Sequence, residues 1–150
     1  SWAGAHGNFQ FMPSSINNYA IDYDKDGQID LVNSLEDSFA SAANYLKTIG
    51  WNKKISWGYK AISADKIDNS LVTIDARKLK KTLSRNDLIN NKISIKNNRK
   101  AKGNFKLIRP DGKDGPIFLV TTNYEKLLNW NRSLRFAITV GLFADLLKNA

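Results

Sequence analysis

The stretch from Arg132 to Lys148 constrains the fold of this chain more than any other. Leu134, Phe136, Ala137, Ile138, Val140, Leu142, Phe143, Leu146 and Leu147 crowd it and leave almost no polar face. A helix apolar nearly all round is a buried one. The segment is therefore expected to be a central strut, with Asn131 as its N-cap. At 150 residues the chain is long enough for one domain with a real core around such a strut, and too short for two large ones.

A second helix is expected from Ser34 to Ile49. Leu35, Phe39, Ala42, Leu46 and Ile49 step by four and three, so one face of this helix reads as core. Ser34 and Asp37 have the spacing of a capping box, with Asp in place of Glu. Gly50 suits the left-handed residue just past the helix end. Pro13 to Ala20 reads as a shorter helix that opens on a proline.

The middle of the chain is less regular. Trp51 to Lys60 reads as an aromatic link, Ala76 to Leu83 as a short basic helix, and Ser84 as the start of another around Leu88. Phe105 to Ile108 and Ile117 to Thr121 flank a loop rich in Pro, Asp and Gly, which predicts a hairpin. The expected fold class is α+β and mostly α, with a small β insertion. The expected organisation is a core segment over 1–51, a basic insertion with a hairpin over 52–122, and a return to the core over 123–150.

Asp22, Asp24 and Asp26 alternate ahead of Gly27 and Gln28, like the first half of an EF-hand loop. Three hard carboxylates converge on a cation, the glycine allows a sharp turn, and the next residue offers its carbonyl. Twelfth in the loop, counting from Asp22, stands Asn33 rather than the usual Glu.

The opening residues, Ser1 to Ser15, set Gly4 and Gly7 beside Gln10, two aromatics, Met12 and a Pro-Ser-Ser run. Small residues next to an amide and aromatic rings suit a sugar, whose hydroxyls meet the amide and whose C–H face meets a ring. The same residues also suit a tight loop packed under a helix.

The run Ser-Trp-Ala-Gly-Ala-x-Gly-x-x-Gln-Phe-Met-Pro-Ser-Ser resembles the signature of the membrane-bound lytic murein transglycosylase B family. These are bacterial enzymes with a lysozyme-like core that cut the glycan strands of peptidoglycan. The resemblance continues through Tyr19 to Asp22, Asp24 to Gly27 and Ala42 to Leu46. It returns at Asn129 to Ser133 and at Ala137 to Asp145, and is weak between Asn52 and Asp114.

It implies that Ser1, Gln10, Tyr45, Trp130 and Asn131 line a substrate groove, with Trp130 where the best-known branch has Tyr. It also implies that the acidic loop is lengthened and closed by Asp37, with Glu36 as the rival. Asp22, Asp24, Asp26, Gln28 and Asp37 would then hold a structural Ca²⁺. His6, where the family often has Met, reads as structural.

Glycosidic cleavage needs a carboxyl group as general acid. The resemblance implies a single Glu in a Glu-Thr-x-aromatic-Gly motif well upstream of the segment matching Ser1. This chain has two glutamates, Glu36 and Glu125, and neither matches, so no catalytic residue is assigned. A start without Met inside a recognisable motif reads as a segment of something longer, lacking the N-terminal part of the domain.

The implied function is cleavage of MurNAc–GlcNAc bonds with formation of 1,6-anhydroMurNAc. The implied setting is bacterial and periplasmic, with outer-membrane association in the full-length protein. The alternatives are a non-catalytic glycan-binding remnant and a basic nucleic-acid-associated protein.

The formal charge of +9 attracts polyanions by field alone. The tryptophans lie outside the basic run from Arg77 to Lys106, however, and no known nucleic-acid motif is present, so no nucleic-acid partner is expected. With zero cysteines and one histidine, thiolate zinc sites are excluded and histidine-based ones are disfavoured. No apolar run is long enough to span a membrane. A monomer is expected.

Overall fold

The computed structural model describes residues 2–96, 101 and 103–148. Two compact units succeed one another along the chain, Ser1–Trp51 and Asn52–Ala150.

The first unit holds two helices, α1 (Pro13–Tyr19) and α2 (Leu35–Thr48). Both begin and end within one residue of the sequence expectation. Ser34 Oγ accepts the Asp37 N–H at 3.1 Å, and Gly50 takes φ 91° just past the end of α2. The buried face of α2 differs from the expected one. Asp37, Ser38, Ser41, Ala42 and Tyr45 are buried, whereas Leu35 and Phe39 stand exposed.

The reason lies in the loop before α2, whose backbone needs partners away from water. Asp37 accepts from Tyr23 N and Asp30 N. Ser38 Oγ donates to Leu31 O, and Ser41 Oγ accepts from Ile21 N. Satisfying that loop turns the polar residues inward and rotates the Leu35 and Phe39 row outward.

The second unit is built on a five-stranded sheet of order β2-β4-β5-β1-β3. Its strands are β1 (Gly58–Ser63), β2 (Val72–Thr73), β3 (Ile93–Ile95), β4 (Lys106–Ile108) and β5 (Ile117–Val120). The predicted hairpin is present, β4 pairing antiparallel with β5 so that Leu107 faces Leu119. The short β2 runs parallel to β4 at the sheet edge. All of β5 is buried, as its unbroken Ile-Phe-Leu-Val run requires. Leu83, Phe105, Leu107 and Leu119 form the innermost core. Each such side chain contributes about 1.5–3 kcal/mol by leaving water.

Two expectations for the middle are corrected. The expected aromatic link from Trp51 to Lys60 ends in β1, because Gly58 to Ala61 pair with Ile117 to Val120. The expected basic helix over Ala76 to Leu83 is absent. Its backbone is drawn elsewhere: Lys80 N donates to Thr73 Oγ1, and Leu83 exchanges two hydrogen bonds with Phe105. The apolar spacing of Ala76, Leu79 and Leu83 would suit a helix, but these backbone partners win. The helix expected after Ser84 does form, as α3 (Arg85–Asn90), with a full capping box between Ser84 and Asp87.

Two further helices complete the unit, α4 (Thr122–Trp130) and α5 (Leu134–Lys148). Glu125 lies on α4, and its carboxylate meets Lys106 Nζ at 3.1 Å. Asn131 closes α4, its N–H bonding Leu127 O, rather than opening the next helix. Ser133 takes that second role, accepting from Phe136 N at 3.2 Å.

The expected burial of α5 on all sides is also corrected. Leu134, Ala137, Ile138 and Gly141 are buried, but Phe136, Val140, Leu142, Phe143, Leu146 and Leu147 are exposed. The helix packs along one stripe, and among the described residues nothing covers the other. Among the described residues no helix is long and apolar enough to cross a membrane.

Asn123 shows why α4 is held firmly. It is fully buried, and its amide is satisfied on both sides. Its oxygen takes Asn52 N–H, and its nitrogen donates to Asn52 O and Ile55 O at 2.8 and 2.9 Å. A buried amide with three good bonds ties the 52–57 segment to the helix.

Candidate functional site

The opening loop of the first unit is a tight turn. His6 and Phe11 exchange backbone hydrogen bonds at 2.8 and 2.9 Å, and Gln10 N donates to Gly7 O at 3.0 Å. Gly7 sits at φ 75°, and a Cβ there would lie 2.6 Å from Leu31 O, so only glycine fits. Asn8 secures the turn, its amide donating to Val32 O and Ser38 Oγ, both at 3.1 Å.

This geometry presents Gln10 to solvent at φ 51°, in the left-handed region. An L-residue held there carries strain, a pattern that concentrates at working sites. Its Nε2 bonds Gly7 O at 2.9 Å. Tyr45 is placed differently. It is nearly buried, with its ring edge-on to Tyr19 at 4.8 Å and to Phe11 at 6.1 Å. Burial, then the neighbouring Tyr19, pushes its phenol up from the ordinary value.

Trp130 and Asn131 belong to the second unit, at the end of α4, Trp130 half-buried and Asn131 exposed. The turn that holds them is fixed by Ser133 N bonding Asn131 O at 2.8 Å. Tyr124, one helical turn and a half earlier, donates its hydroxyl to Leu134 O at 2.8 Å and so clamps α4 to α5. Burial pushes that phenol well up. Ser1 lies outside the described residues.

The acidic loop brings together three carboxylates, those of Asp22, Asp24 and Asp37, with oxygens within 4.8 Å of one another. Asp37 rather than Glu36 closes the group. Asp26 stands outside it, exposed, with Oδ1 accepting from Gln28 N at 2.8 Å. Lys25 at φ 64° and Gly27 at φ 91° bend the loop. Asp22 steadies that bend, accepting from Lys25 N at 2.6 Å and Gly27 N at 3.0 Å.

The electrostatics follow from these bonds. The Tyr23 N–H, then the Asp30 N–H, hold the Asp37 carboxyl below its ordinary value. For Asp24 the Asp26 N–H pulls the same way, but burial and the charges of Asp26 and Asp37 prevail, and its carboxyl is raised. Hard oxygens clustered this closely are a donor set that fits a hard divalent cation.

Asp30 was not singled out by the sequence pattern. Its Oδ1 accepts from Val32 N and Asn33 N at 2.9 and 2.8 Å, shaping the exit of the loop. An Asp two residues before a turn is the available signal.

Residues 1–145 match the family model for the transglycosylase SLT domain. Membrane-bound lytic murein transglycosylase B of Escherichia coli (strain K12) is 51% identical over 53 residues, which is 35% of this chain and 14% of that protein. The crystal structure of SltB3 from Pseudomonas aeruginosa in complex with NAG-anhNAM-pentapeptide matches 99% of this chain and 40% of its own, at 35% identity and TM-score 0.84. The Escherichia coli lytic transglycosylase Slt35 in complex with calcium matches all of this chain and 47% of its own, at 28% identity and TM-score 0.77. The chain thus spans less than half the length of these solved relatives.

Proposed function

Since the chain belongs to the transglycosylase SLT domain family, we propose that it forms part of a lytic transglycosylase acting on peptidoglycan in the bacterial periplasm. The observation that carries this reading is the likeness of nearly the whole chain to SltB3 in complex with a muropeptide. Gln10, Trp130 and Asn131 serve as glycan contacts, the amides for hydroxyls and the indole as a stacking face whose N–H only donates. Tyr45 acts from beneath, packing the α1–α2 contact that supports the Gln10 turn.

The reaction breaks the bond from C1 of MurNAc to the GlcNAc oxygen. A carboxyl group protonates that leaving oxygen, the MurNAc C6 oxygen bonds C1, and the C6 hydroxyl proton returns to the carboxylate. Acid–base help of this kind is typically worth about 10²–10⁴ in rate. Neither glutamate of this chain is suited to it. Glu125 is engaged by Lys106, and Glu36 sits exposed in the first turn of α2. The acid is therefore assigned to neither glutamate of this chain.

We assign Ca²⁺ to Asp22, Asp24 and Asp37, with Asp26 and the Gln28 carbonyl completing the shell. The ion fixes the loop that precedes α2 and takes no part in the reaction. The exposed Glu36 and the Lys106-bound Glu125 favour a second reading for the chain acting alone, as a glycan-binding module.

The test is a digest of purified peptidoglycan. The chain alone is expected to release no 1,6-anhydromuropeptides, and a segment bearing the Glu-Thr-x-aromatic-Gly motif is expected to restore release. Release by the chain alone, lost on Glu36→Gln or Glu125→Gln, would overturn the assignment of the acid.

A further inference from the structure

Gln10 is held by a neighbour rather than by its own packing. Gly7 O accepts its backbone N–H at 3.0 Å and its side-chain Nε2 at 2.9 Å. The backbone and the amide head of this glycan contact therefore hang on one carbonyl.

That carbonyl belongs to the peptide unit joining Gly7 to Asn8, which is trans and therefore planar. Its N–H, on Asn8, points the opposite way and donates to Leu31 O at 2.8 Å. Fixing one end of a rigid plane fixes the direction of the other. Asn8 adds both hydrogens of its side-chain amide, one to Val32 O and one to Ser38 Oγ, each at 3.1 Å. Ser38 is buried on α2, and its hydroxyl donates to the same Leu31 O at 3.0 Å.

The segment that receives these bonds is held by the acidic loop. Asp37 Oδ2 accepts the Asp30 N–H at 3.0 Å, and Oδ1 accepts the Tyr23 N–H at 2.7 Å. Asp37 is also one of the three clustered carboxylates. From Asp37 the path runs through Asp30, Leu31, Asn8 and Gly7 to Gln10. Every step is a covalent or a hydrogen bond, and the whole path lies within the first unit.

We propose that Asn8 is the positioning residue that couples the acidic loop to Gln10. An ordered loop sets the plane of the peptide between Gly7 and Asn8, and that plane aims the glycan contact. A cation held by Asp22, Asp24 and Asp37 then favours glycan binding, and glycan favours the cation by the same factor. This coupling rests on the glycan reading of Gln10.

The test is co-sedimentation of the full chain with purified peptidoglycan, with calcium present or chelated. Asn8→Ala is expected to weaken retention about tenfold, as the loss of one or two polar bonds predicts. In a Gln10→Ala background it is expected to cost nothing further, because both substitutions act through one contact. Ser38→Ala, which spares the bond to Val32, is expected to weaken retention severalfold. Chelation is expected to weaken the parent severalfold and to leave Asn8→Ala unchanged. Amide exchange separates this role from a loss of fold: in Asn8→Ala the Gln10 N–H should exchange faster while the amides of α2 keep their protection. Retention of Asn8→Ala equal to the parent, a loss that persists in the Gln10→Ala background, or a parent indifferent to calcium would overturn the coupling alone. A parent chain that peptidoglycan does not retain would overturn the glycan reading and the coupling with it.

Discussion

Gly141 of α5 packs its Cα against the face of the Trp57 indole, so closely that a methyl group there would overlap the ring. One helical turn on, Asp145 Oδ2 accepts the indole N–H at 3.1 Å. Trp57 is thus pinned by a glycine and an acid four residues apart on one helix stripe. This contact, with the Tyr124 clamp, holds α5 to the sheet while its other stripe stays exposed.

Gly141→Ala is accordingly expected to destabilise the chain even though alanine favours helix. Overpacking costs about 1–3 kcal/mol, more than the roughly 1 kcal/mol that Gly to Ala returns in a helix. Urea unfolding followed by tryptophan fluorescence measures the balance. A variant more stable than the parent would show that the contact yields freely.

Gln10 offers a separation of stability from binding. Relieving its left-handed backbone with Gln10→Gly is expected to raise stability by roughly 1 kcal/mol while weakening glycan binding. Unfolding and peptidoglycan retention are measured on the same preparation. A variant unchanged in binding would remove Gln10 from the groove.

The acid limb of the stability curve is expected to carry a signature of Asp87. The Ser84 hydroxyl, then the Ser84 N–H, hold its carboxyl below the ordinary 3.8. The unfolded chain then takes up this proton more readily than the folded one, so Asp87 stabilises above that value. The contribution is lost as pH falls through the lowered folded value. Asp87→Asn should lower the melting temperature at pH 7, and the gap should narrow below about pH 4. A gap independent of pH would deny the linkage.

Calcium is expected to stabilise the folded chain by preferential binding, by about 2.7 kcal/mol when the ion is at a hundred times its dissociation constant, and so to raise the melting temperature. Magnesium, which demands a tight octahedron, should do less. The double variant Asp24→Ala with Asp26→Ala should abolish the rise. An equal rise in the double variant would move the site elsewhere.

The caps at Ser34 and Ser84, the hairpin and the alternation of Asp22 and Asp24 were legible in the sequence because each depends on local chemistry, whereas Asp37 was tied to them only through the resemblance. The inward face of α2 was not, because what Asp37, Ser38 and Ser41 do is set by backbone N–H and C=O groups of Ile21, Tyr23, Asp30 and Leu31. Periodicity registers apolar residues and is blind to such orphan groups. The strand from Gly58 was hidden for a similar reason: its partners, Ile117 to Val120, lie nearly sixty residues on. Trp130 and Asn131 became readable as a pair only through the resemblance, since nothing in their own spacing marks a sugar site.

The central claim, that this chain holds peptidoglycan through its glycan contacts, is tested most directly by co-sedimentation with insoluble peptidoglycan. The salt is set on the order of 0.5 M, where interactions between exposed charges are largely screened. The predicted result is retention of the parent chain, with Gln10→Ala and Asn131→Ala each weakened about tenfold, as expected for a lost polar contact in a site built to make it. Release of the parent by salt, with the variants indistinguishable from it and duplex DNA competing at low salt, would contradict the account.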